Sequence, residues 1–133
     1  MLRTFSLLGV VPAFCGTVCF GQNGARFDAI KPGMYDEQLV QQALKIANQR
    51  AVNMRCPERY IKGVILSYQW HNVVDREGFV TGRKIHVELY CERPGEMCGM
   101  ADFTFLERYV AAGAFSDRLV FVRNGNTYAV DCE

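Results

Sequence analysis

His71, His86 and Lys84 are the residues of this 133-residue chain best suited by type to proton transfer. Histidine titrates near neutrality and a lysine can hold phosphate, so the three could form an acid–base pair of the ribonuclease kind. They lie in neighbouring β-rich runs, and opposing strands of one hairpin could bring them close. Histidines on the wet faces of strands are more often plain surface residues, so no enzymatic activity and no cofactor are expected. No Ser, His and Asp set, catalytic Cys and His pair, Gly-rich phosphate loop or calcium loop stands out.

Cysteines are the other reactive group. Met-Leu-Arg, an apolar stretch from Phe5 to Phe20, then polar Gln22-Asn23, have the layout of a signal peptide cleaved after Gly21. Gly9, Pro12 and Gly16 break the stretch too much for an anchor of roughly 20 strongly apolar residues. Residues 1–21 are therefore expected to leave, giving a secreted, extracellular domain from Gln22 to Glu133 with no membrane anchor. Cys15 and Cys19 go with them. Cys56, Cys91, Cys98 and Cys132 remain, an even count that predicts two disulfide bonds in an oxidising compartment. Cys91 and Cys98 flank the turn signal Pro94-Gly95, so a local bridge is expected there, which leaves Cys56 for Cys132. Metal is not expected, because there is no CxxC pair and the histidines sit at no ligand spacing to the cysteines. A formal net charge of +1 argues against nucleic acid or an anionic membrane as the main partner.

These residues have to be held by a small set of elements. Gln22 to Pro32 is polar, glycine-rich and aperiodic, and reads as an extended arm ending at Lys31-Pro32-Gly33. Leu39, Val40, Ala43, Leu44 and Ala47 recur at helical spacing against a polar face, which predicts an amphipathic helix from Tyr35 to Met54 with Asp36 at its start. Cys56-Pro57 stops it. The rest is β-rich: a run from Tyr60 to Val74, a turn at Asp75 to Gly78, and an alternating strand from Phe79 to Tyr90. A third run spans Ala101 to Val110. Leu119 to Arg123 and Thr127 to Cys132 flank Asn124-Gly125, a strong hairpin signal. The aromatic residues Tyr60, Tyr68, Trp70, Phe79, Phe103, Phe105 and Tyr109 are expected to pack on the helix. One long helix wrapped by a four- to five-stranded antiparallel sheet is a single α+β domain.

An arm ending in glycine, one helix, a two-strand hairpin and a last hairpin closed by disulfides resembles the cystatin superfamily over nearly all of Gln22 to Glu133. Ala47-Asn48-Gln49-Arg50 and the closing Tyr128-Ala129-Val130-Asp131-Cys132-Glu133 are similar to the cathelin-like branch. The resemblance implies a thiol protease inhibitor that enters the cleft of a papain-like cysteine protease as a reversible wedge of three edges. Carried onto this chain, those protease-binding edges are Gly33 with Met34, the first loop Gly78-Phe79-Val80-Thr81-Gly82, and a second loop at Asn124-Gly125. Of the first-loop pattern Gln-x-Val-x-Gly, Val80 and Gly82 are kept and Gly78 replaces the glutamine. The second loop lacks Pro-Trp, and Cys56 lies outside the last third of the chain, where cystatin cysteines cluster. The alternative is a non-inhibitory secreted binding module of the same fold that engages an extracellular or host protein.

Overall fold

A computed structural model describes residues 17–19, 26–95 and 97–133. In chain order the elements are β1 (Thr17–Cys19), a 3-10 turn at Phe27–Ala29, α1 (Glu37–Asn53), β2 (Arg59–Ile65), β3 (His71–Val74), β4 (Val80–Arg93), β5 (Met97–Ala111), β6 (Ala114–Phe115) and β7 (Val120–Val130). The fold is α+β, one α-helix among the described residues packed on a curled sheet that is antiparallel except for β1. Its strand count exceeds the expected four to five. Of the expected leader, residues 17–19 are described, and they pair in parallel with β7 from Thr17 opposite Asn126 to Cys19 opposite Tyr128. The rest of the leader, and a cleavage site after Gly21, lie outside the described residues. Among the described residues no helix is long and apolar enough to cross a membrane.

The helix begins where Asp36 accepts a 3.1 Å hydrogen bond from the Leu39 N–H, satisfying one of the donors that a first turn leaves free. Leu39, Val40, Ala43, Leu44, Ala47 and Ala51 form its buried stripe. It ends at Arg55, whose φ of 58° is left-handed, with the Cys56 N–H turned back onto the Ala51 carbonyl. Asn48 ties the helix to the sheet edge by donating to the Tyr60 carbonyl and accepting from the Tyr60 N–H, both at 2.8 Å.

Alternation divides the sheet into two faces. Ile85, Val87, Leu89 and Cys91 of β4 and Ala101, Phe103 and Phe105 of β5 meet the helix in the main core. On the opposite face, Tyr90 and Cys98 form a second cluster with Phe27 of the arm, joined by Ile30, Val64, Met100 and Val130. The C-terminus clasps that cluster. The Glu133 N–H donates to the Tyr90 hydroxyl, and the Glu133 carboxylate accepts from Asp28 N–H and pairs with Lys62.

Three expectations need correction. The run from Tyr60 to Val74 is two strands, because the arm takes the edge between them: Gly33 donates to the Ile65 carbonyl and lies so close to the Leu66 and Ser67 carbonyls that a Cβ would collide. Asn124-Gly125 is no hairpin. It is a one-residue bulge inside β7, between the pairs Phe103 with Asn124 and Ala101 with Thr127, because β5 is long enough to pair both arms of the supposed hairpin. The disulfide joins Cys98 to Cys132, and Cys91 is a buried free thiol. Cys91 stands opposite Gly99, so Cys98, one residue along, points through the other face and cannot reach it. Cys56 is also disulfide-bonded, and Cys132 is not its partner.

Candidate functional site

The turn between β3 and β4 is built around one carboxylate. Asp75 Oδ1 accepts from both the Glu77 and the Phe79 N–H at 2.9 Å, and the Asp75 N–H donates to the Phe79 carbonyl. Gly78 supplies the φ of 87° that this closure needs. Phe79 is therefore held outward, 71 % exposed, in a loop with its own hydrogen bonds. Thr81 adds a hydrogen bond from its hydroxyl to the Val73 carbonyl. Behind it, Gly82 is buried against the Glu107 carbonyl, where a Cβ would sit only 2.8 Å from that oxygen.

The base of this tip is rigid for a second reason. The Arg83 guanidinium donates from Nε and Nη2 to Glu107 Oε1 at 3.0 and 2.8 Å. It also lies over the rings of Trp70 and Phe115, 4.1 and 4.5 Å from their centroids. A planar cation that stacks and pairs at once gains both interactions without choosing between them.

Beside the tip stands an edge that the sequence did not mark as a site. β5 turns into β6 through Ala112 and Gly113, at φ 51° and 79°, and the Gly113 N–H donates to the Tyr109 hydroxyl. Gly82 pairs with Arg108, so both loops leave the same end of the sheet. Val74, Phe79, Tyr109 and Val110 are all exposed there. The available signal was Gly113 between the apolar Tyr109-Val110 and Phe115, which an Ala-rich segment made easy to read as plain loop.

The other expected contacts are elsewhere. Gly33 and Met34 lie against Ile65, which pairs with Val87, five residues from Gly82 or about 16 Å along the strand. Asn124 pairs with Phe103, five residues from Arg108, again about 16 Å. The structure thus gathers Gly78, Phe79, Val80, Thr81 and Gly82 and leaves Gly33, Met34, Asn124 and Gly125 apart from them. Of the aromatic residues expected in the core, Tyr60, Phe103 and Phe105 are buried, whereas Tyr68 joins Phe79 in solvent.

His71, Lys84 and His86 do come together. His71 opposes Lys84 across β3 and β4, and the two histidine rings are 6.4 Å apart. His86 Nδ1 lies 3.0 Å from Thr104 Oγ1. Burial, helped by the charges of Lys84, His71 and Arg123, holds the His86 pKa below its ordinary value. Among the described residues no group of three or more His, Cys, Asp or Glu is placed to hold a metal ion. No family model, curated protein or solved structure matches the chain.

Proposed function

We propose that this protein is a secreted binding module whose paired loops, Gly78–Gly82 and Ala112–Gly113, enter the cleft of a partner protein, with papain-like cysteine proteases as the partner class. The carrying observation is Phe79, a large apolar side chain held in water by the Asp75 hydrogen bonds. A preformed loop spares the ordering cost of binding, and an exposed apolar group with exposed apolar neighbours gains most from being covered. The cystatin resemblance supplies the protease as target, and Ala112–Gly113 takes the place of the second loop.

Titrating papain and a cathepsin L-type enzyme with the protein recovered from a secretory pathway tests this reading. Reversible inhibition at micromolar protein is expected, weakened at least about tenfold in Phe79→Asp, as for a central anchor. Absence of inhibition by the folded protein rules out the protease assignment. The second reading, a module of this fold that binds without inhibiting, is favoured by the separation of Met34 and Asn124 from the tip.

A further inference from the structure

The face of the sheet opposite the helix is covered at one end by the arm and the C-terminus, and its other end is open, with basic side chains set around the half-buried Val73 and Leu106. Strand register places His71 opposite Lys84, Thr104 opposite His86, Arg123 opposite Thr104, and Arg108 opposite Gly82, all on that face. His71, Lys84, Arg108 and Arg123 have no ion pair among the described residues. The near-zero net charge of the chain conceals this, because it averages the patch with acidic groups elsewhere. Asp102 and Glu88 share this face beside His86, and the unpaired Lys84, Arg108 and Arg123 leave its open end basic, which favours an anionic ligand by charge complementarity.

The patch adjoins an open depression of about 490 Å³ lined by Leu66, Ser67, Tyr68, Gln69, His71 and His86. Tyr68 is 80 % exposed there, a free aromatic face on which a nucleobase can stack, and the exposed Gln69 can address a base edge. Two imidazoles and a stacking platform in one depression, with unpaired cations beside it, match a single-stranded nucleotide chain.

We propose that this face binds single-stranded RNA and cleaves its phosphodiester bond, with His86 as general base, His71 as general acid, and Lys84 and Arg123 holding the phosphate. In the tautomer whose Nδ1–H donates to Thr104 Oγ1, Nε2 carries the lone pair that a general base needs. Nε2 takes the proton of the ribose 2′-hydroxyl as the 2′-oxygen bonds to phosphorus. The bond from phosphorus to the 5′-oxygen breaks, and the His71 imidazolium protonates the departing oxygen. The products are a 2′,3′-cyclic phosphate and a 5′-hydroxyl end. The substrate supplies its own nucleophile, so no water or co-reactant is consumed. Groups facing His86 are Lys84 on its own strand, His71 from β3, Thr104 and Asp102 from β5, and Arg123 from β7. Asp102 alone among them favours the charged form of the ring.

The test incubates the full chain with a fluorescently labelled oligoribonucleotide in chelator, resolving both product length and end chemistry. The expected result is 2′,3′-cyclic phosphate ends, a bell-shaped pH profile, and rates reduced about 100-fold or more in His71→Gln and in His86→Gln. The all-deoxy oligonucleotide stays intact, and Phe79→Asp cleaves as the parent does, which separates this site from the paired loops. Because His86 is half-buried, surface Lys84→Ala provides a variant free of folding effects, expected to lose activity with unchanged near-UV dichroism. The proposal is overturned by RNA binding without product, by cleavage that neither histidine substitution reduces, or by cleavage of the deoxy strand.

Discussion

Across the β4 and β5 pairing Glu88 faces Asp102, and its Oε2 has no hydrogen-bond partner among the described residues. Burial, with Asp102 adding repulsion, pushes the Glu88 carboxyl up from 4.5 to about 7. A carboxyl that holds its proton more tightly in the folded state stabilises the fold below 4.5 and loses that contribution as pH rises through about 7. The melting temperature should therefore fall between pH 5 and pH 8, by an amount reflecting up to about 3 kcal/mol. Glu88→Gln should flatten that slope, and an unchanged slope would refute the assignment. Cys91 behaves differently, since burial pushes its thiol up to about 12 and leaves it unreactive. Alkylation followed by peptide mass spectrometry should label Cys91 only after denaturation.

At the scale of elements, Gly33 and Asp36 make separable predictions. Gly33→Ala puts a methyl group into the Leu66 and Ser67 carbonyls and should destabilise the fold by about 1–3 kcal/mol in denaturant unfolding. Asp36→Ala, which removes only the helix cap, should cost about 1 kcal/mol. The helix was legible in the sequence because its apolar spacing and cap are local, and β4 because its alternation is clean. The break between β2 and β3 was not legible, since it depends on where the distant arm docks. Asn124-Gly125 misled for a related reason: local turn preference yields when a neighbouring strand as long as β5 offers continuous pairing, and the extra residue becomes a bulge. The loop Gly78–Gly82 was legible from its glycines, whereas its neighbour Ala112–Gly113 became visible only once register set both at one end of the sheet.

For the molecule as a whole, the Cys98 to Cys132 bridge fastens the last residues to the sheet, where Glu133 also meets the arm through Asp28. A bridge spanning 34 residues is worth about 4 kcal/mol in the chain-entropy model, so Cys98→Ala with Cys132→Ala should lower stability by about that amount. Non-reducing peptide mapping should recover Cys98 linked to Cys132, and a Cys91 to Cys98 peptide would contradict the alternation of β4 and β5 across the sheet. Fastened in this way, the scaffold holds one pair of loops at its far end and an open basic face on its side. Inhibition of papain by a substitution series measures whether those loops are the contact surface. Phe79→Asp and Val110→Asp should each weaken inhibition at least about tenfold, while Met34→Ala and Asn124→Ala leave it within about twofold. Equal inhibition by all four variants, or losses confined to Met34 and Asn124, would contradict the paired-loop surface.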